Sequence, residues 1–147
     1  MVICFVRSLG KPLTREALAL LQEHWPRFDL AGVTVVAVTD SEPPVAQDFV
    51  PRNHLLFPVI CDPDHELFRA FNVGGDQALA GTLRALAGGG VRRAFRALRH
   101  GHGPVERKQL KLPAEFVVAP DGRLLYTHYG RSMTDVPDVD ALLDACS

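Results

Sequence analysis

Two short apolar runs with a helical stretch between them narrow the folding options of this chain further than any other feature. Val2–Val6 (VICFV) is apolar throughout, and Val33–Val38 (VTVVAV) is β-branched and apolar. Runs of this kind suit strands buried on both faces. Ser8-Leu9-Gly10 reads as a turn, and Pro12 fits the first helical turn, where its missing N–H costs nothing. Leu13, Ala17, Leu20 and Leu21 recur at helical spacing and predict the core face of a helix that Trp25-Pro26 ends. Strand, helix and strand with short connections imply a right-handed parallel crossover. Thr39-Asp40-Ser41 then falls beside Lys11, at the mouth of the first helix. That mouth presents free N–H groups and the positive end of the helix dipole.

The rest of the chain extends the pattern. Pro43-Pro44 starts a short helix to about Val50, which Pro51 stops. Phe57–Cys61 (FPVIC) is a third apolar strand. Asp62-Pro63 predicts an N-cap with proline in the first turn, and Leu67, Phe68 and Phe71 give the next helix its core face. Residues from about 74 to 111 read as an insertion with helices at Ala78–Ala87 and Val91–Leu98, split by Gly88-Gly89-Gly90. Leu112–Val118 enters a strand, Pro120-Asp121-Gly122-Arg123 turns it, and Leu124–Tyr129 returns as its hairpin partner. Asp135 and Pro137 begin a last helix with Val139, Leu142 and Leu143 inward and Cys146 exposed at its end.

With 147 residues the chain predicts one domain, 1–147, with a sizeable core. A net charge of −1 gives no whole-chain signal for nucleic acid or membrane, and no apolar run reaches membrane-spanning length. Met1 leads straight into a strand with no secretory pattern, which argues for the cytoplasm. Three widely spaced cysteines argue against a structural disulfide framework.

Three segments resemble the thioredoxin-like AhpC/TSA (peroxiredoxin-like) family. Phe5–Leu18 (FVRSLGKPLTREAL) is similar to its active-site segment, where a strand runs into G-C-P-x-C-R and a helix. Phe57–Val73 (FPVICDPDHELFRAFNV) resembles F-P-L-L-S-D-P followed by a helix, with Cys61 in the usual place of serine. Leu112–Tyr129 resembles the closing hairpin. The resemblance implies an α/β thioredoxin-like fold. Its five-stranded mixed sheet has the order 57–61, 33–38, 2–6, 114–119, 123–129, with helices on both faces and a helical insertion. The family usually has a hairpin before its first core strand, and this chain opens on that strand. By position the resemblance also implies a cis bond before Pro113, facing the active-site turn, and it suggests a homodimer.

In the family the first cysteine attacks peroxide, since a helix N-terminus favours thiolate. Lys11 stands in its place and Thr14 in place of the second cysteine, while Gly10, Pro12 and Arg15 match. The resemblance thus implies a member without peroxidase chemistry at the usual position, with a binding or regulatory role. Two alternatives stay open. Lys11, with Arg7 and Arg15, forms an anion pocket for a carboxylate or phosphate. Or Cys61, at a strand end before a helix, is the working thiol of an oxidoreductase or peroxidase, with Cys146 of a partner chain resolving it. Against thiolate, Asp62 and Asp64 lie beside Cys61. Thr14 has no histidine close in sequence to activate it, and Cys4 reads as packing. The arginines of 84–99 form a solvated cationic face, or else a surface for a protein partner or a phosphate, or a basic helix face lying on a membrane surface. His100 and His102 lack a ligand set at zinc spacing, so no metal and no cofactor is predicted.

Overall fold

A computed structural model describes residues 1–74, 112–132 and 134–147. The predicted insertion with its two helices, the arginines of 84–99, His100 and His102 lie outside the described residues. The described elements are β1 (Val2–Phe5), α1 (Pro12–Leu30), β2 (Val35–Thr39), α2 (Pro43–Arg52), β3 (Val59–Cys61) and α3 (Glu66–Ala70). After the gap come β4 (Ala114–Val118), β5 (Leu124–Tyr129) and a helix at Val139–Cys146, here α4.

The strands form one five-stranded sheet in the order β3-β2-β1-β4-β5, as expected. β1 pairs parallel with β2, with Val2 opposite Val35, and β2 parallel with β3. β4 runs antiparallel to β1 and to β5. Period-two alternation divides the side chains between the two faces. Val2, Cys4 and Val6 join Leu18, Leu21 and Phe28 of α1, Phe49 of α2 and Leu142 of α4 in one cluster. Ile3 and Phe5 join Leu67, Phe68, Phe71 and Phe116 in the other. There Phe5 meets the Phe68 and Phe116 rings edge-on, at 5.0 and 5.6 Å between centroids.

The helix boundaries differ from expectation, and each difference has a local cause. α1 passes through Pro26 to Leu30. An interior proline costs about 3 kcal/mol, but Phe28, two residues on, is fully buried, and burying phenylalanine returns roughly 1.5–3 kcal/mol. Gly32, at φ +66°, then closes the helix as Val33 N–H reaches Phe28 C=O and Gly32 N–H reaches Asp29 C=O. The core stripe of α1 is also rotated by one residue: Thr14, Leu18, Leu21 and Phe28 are buried, while Leu13 and Leu20 are exposed. Pro51 likewise sits inside α2, which ends at Arg52. His54 and Asn72, both at positive φ, close α2 and α3 with the bond pattern seen at Gly32. α4 starts after Asp138, whose carboxylate accepts from Asp140 N–H, because Asp135 instead accepts from Arg131 N–H. Cys146 is half-buried against the first cluster rather than exposed. The bond before Pro113 is trans, not cis. The Pro113 ring packs on the end of β5, where its carbonyl accepts from Gly130 N–H.

Candidate functional site

The turn from β1 into α1 is built by the end of β2. Thr39 Oγ1 donates to Arg7 C=O at 2.8 Å, and Ser41 Oγ accepts from Leu9 N–H at 2.9 Å. Both hydroxyl residues are buried, and Leu9 is fully buried beneath the turn. Lys11 N–H closes the turn on Ser8 C=O. Lys11 therefore falls beside the end of β2, as the crossover implies. It occupies the N-cap of α1 in an extended conformation, exposed, and its side chain makes no capping bond. Pro12 follows with no N–H to satisfy.

The other residues singled out around the turn have settled roles. Thr14 is buried in the first turn of α1. Arg15 Nε donates to Leu9 C=O at 2.9 Å, and its guanidinium lies 5.6 Å from the Phe49 ring centroid. Arg7 is half-buried where β1 leaves the sheet. Gly10 is not held by space, since an added Cβ would lie 3.7 Å from Ser8 Oγ, an ordinary contact.

Cys61 ends β3 opposite Thr39 and is half-buried. Burial first, and the charge of Glu42 second, push its thiol above the ordinary range. Asp62 is buried, and it does not cap α3 from the adjoining position. The helix starts at Glu66 behind a left-handed His65, and Pro63 stays outside it. Asp62 reaches across, one oxygen accepting from Glu66 N–H at 2.9 Å and the other from Phe68 N–H at 3.0 Å. Its carboxyl is nonetheless raised, because burial outweighs these bonds and the nearby His65. Cys4 is buried as expected, its thiol pushed far up by burial and then by Glu115. Burial also raises Cys146, against the opposing pull of the N-terminal ammonium. All three thiols are free. Among the described residues no group of three His, Cys, Asp or Glu side chains could hold a metal.

Glu115 is a residue that sequence reasoning passed over. It lies on β4 between Cys4 of β1 and His128 of β5. Only 5% of it is exposed, and its Oε2 has no hydrogen-bond partner. Burial, then the charge of Asp135, push its carboxyl up to about 8. It lines a crevice between α1 and α4 with Val6, Leu20, Val136 and Leu142. One signal was available: Glu115 is the single charge in AEFVV, on a strand that the predicted order places inside the sheet.

Comparison with known proteins agrees with this architecture. A family model described as AhpC/TSA antioxidant enzyme matches residues 20–132, beginning after the Lys11 turn. The bacterioferritin comigratory protein of Xanthomonas campestris shares 20% identity, with 98% of this chain and 75% of that one covered at a TM-score of 0.66. A peroxiredoxin-like protein from Aquifex aeolicus shares 17%, covering 97% and 67% at 0.67. Peroxidoxin BcpB of Mycobacterium tuberculosis shares 12%, covering 98% and 75% at 0.63. At these identities the likeness concerns the fold. No curated protein matches. No helix among the described residues is long and apolar enough to cross a membrane.

Proposed function

This chain belongs to the AhpC/TSA antioxidant enzyme family, and from that premise we propose that it keeps the scaffold without peroxide chemistry at the β1–α1 turn, serving a binding or regulatory role instead. The observation that carries this reading is Lys11 at the mouth of α1, where the family resemblance puts the attacking cysteine. Peroxide reduction needs a thiolate. Cys4, Cys61 and Cys146 are the thiols of the chain, and burial raises each of them.

The turn suits a small anion better than an attacking sulfur. A cation at a helix N-terminus opposes the dipole by about 0.3–1 kcal/mol. A carboxylate or phosphate placed between Lys11 and the uncapped N–H groups of the first turn removes that opposition. Arg7 flanks the turn, and Arg15 helps hold its backbone.

The rival reading is a thiol-dependent oxidoreductase or peroxidase working through Cys61, which is half-exposed at a strand end. There the sulfur would attack a peroxide oxygen, giving a sulfenic acid and releasing water or an alcohol. Stoichiometric peroxide treatment of the reduced protein, read by intact mass and peptide mapping, separates the two. The proposal expects no cysteine to gain oxygen or form a disulfide within minutes. It also expects phosphate to raise the melting temperature of the wild type and not of Lys11→Ala. Rapid oxidation of Cys61 alone, with turnover abolished in Cys61→Ser, would transfer the chemistry to β3 and end the first reading.

A further inference from the structure

The crevice between α1 and α4 holds a carboxyl group, Glu115, with one oxygen that no described neighbour satisfies. Glu115 is buried, and its Oε2 lacks a partner. Leaving a buried polar atom unpaired costs about 1–3 kcal/mol. An ordered water needs about two to four polar partners. Around this crevice the described lining side chains are apolar apart from Glu115 and the Cys4 thiol. The volume is about 50 Å3, well under the ~150 Å3 of a cavity that takes benzene. That volume takes a small head group, and the stem of a ligand then lies along the open mouth. Leu20 and Val136, both substantially exposed, stand at its wall and give an alkyl stem apolar surface to cover.

Charge selects the head group. Among the described residues no lysine or arginine lines the crevice. The field at Glu115 is made more negative by Asp135. We infer that this crevice binds a short aliphatic ammonium, its stem between Leu20 and Val136 and its ammonium on Glu115 Oε2. This site is separate from the Lys11 turn and does not rest on the function proposed there.

Binding is coupled to one proton. Glu115 is held protonated near neutral pH, so docking an alkylammonium ionises it and releases that proton to solvent. The alkylammonium keeps its own proton, as an amine of lysine-like basicity does below pH 9. Among the described residues the groups facing Glu115 are Cys4 of β1, His128 of β5, and Asp135, which His128 Nε2 approaches at 3.4 Å. The residues that α1 and α4 present, Ala17, Leu20, Leu21, Val139 and Leu142, do not titrate.

The test titrates the full chain with n-butylammonium and with n-butanol at pH 6.5 and 7.5, followed by methyl NMR and calorimetry. The expected result is saturable binding of butylammonium that perturbs Val6, Leu20 and Val136. It should tighten about tenfold per pH unit, since one proton is released. Glu115→Gln should weaken it at least about tenfold, the loss of a charge-assisted bond, and remove the pH dependence. Butanol should bind no more tightly than butylammonium binds the Gln variant. Leu20→Trp, which blocks the mouth without touching the carboxyl, should abolish binding of both. No saturable shift, equal binding by Glu115→Gln, or equal binding of butanol overturns the inference. Should the Gln variant fail to fold, a pH-independent affinity, or one untouched by Leu20→Trp, overturns it as well.

Discussion

Asp62 and Glu115 are both carboxylates buried toward the end of the sheet where β1 hands over to α1, and they are treated in opposite ways. Asp62, at the β3–α3 corner, spends both oxygens on backbone N–H groups of the helix that follows. Glu115, in the β4–α4 corner, has an oxygen with no partner. Burial raises both groups. At the first corner the burial is part of building the fold, because the carboxylate satisfies donors that the helix start would otherwise orphan. At the second it builds nothing local. That is the corner to which the inferred alkylammonium is assigned. The Lys11 turn lies between the two, anchored underneath by Thr39 and Ser41 and left uncapped on top.

The largest expected effect tests the Glu115 side. Its folded value of about 8 lies above the ordinary 4.5. The folded state therefore binds this proton more tightly than the unfolded chain. Its contribution to stability is complete below about pH 4.5 and is lost as pH rises through 8. Each unit corresponds to about 1.4 kcal/mol, so the loss is roughly 4–5 kcal/mol, a large part of a typical domain's stability. Urea unfolding at pH 5, 7 and 8.5 should show the wild type losing ground to Glu115→Gln by that order. Parallel curves would mean that Glu115 finds a partner in solution and that the two corners are alike.

The next effects test the Asp62 side. Asp62→Ala orphans the N–H groups of Glu66 and Phe68 and should lower stability by about 2 kcal/mol in the same assay. Asp62→Asn keeps one acceptor and carries no charge to bury. Because the Asp62 carboxyl is raised, its stabilising share is greatest at low pH and falls as pH rises. The gap between wild type and Asp62→Asn should narrow in that direction. A gap that widens with pH would show the ionised carboxylate gaining more from its bonds than it loses by burial. Ser41→Ala, which strands Leu9 N–H under the turn, should lower stability by about 1–2 kcal/mol, and a silent variant would show that the turn is not held from beneath.

The order of the sheet was legible because short apolar runs, one helix between two of them and the handedness of parallel crossovers leave few arrangements. The family resemblance pointed to the same arrangement. Helix ends were less legible. Pro26 and Pro51 looked like stops, yet the buried Phe28 and a closing turn at His54 carried both helices past them. The phase of α1 was misread because Leu13 and Leu20 are as apolar as Leu18 and Leu21, and Thr14 at a core position hid the true stripe. That shift leaves Leu20 on the wall of the Glu115 crevice. Glu115 was missed because a local reading of AEFVV records a strand, and only the assembled order shows that its charge has nowhere to go. At the turn the unusual residue, Lys11, was visible at once, while the hydroxyls that hold it come from a strand about thirty residues on.

The smallest expected effect decides whether the Lys11 turn belongs with the first corner or the second. Lys11 is an uncapped N-cap cation. Lys11→Asp supplies an acceptor for the first-turn N–H groups and reverses the charge at the positive end of the dipole. It should raise stability by about 1 kcal/mol in low salt, read as a higher thermal midpoint. Inorganic phosphate should stabilise the wild type by a comparable amount and the variant not at all, since the new carboxylate takes the anion's place. A midpoint unchanged or lowered by Lys11→Asp would mean that the ammonium already serves the fold. The turn would then be as self-satisfied as the corner that Asp62 closes, and its chemistry would have to be sought elsewhere on the sheet.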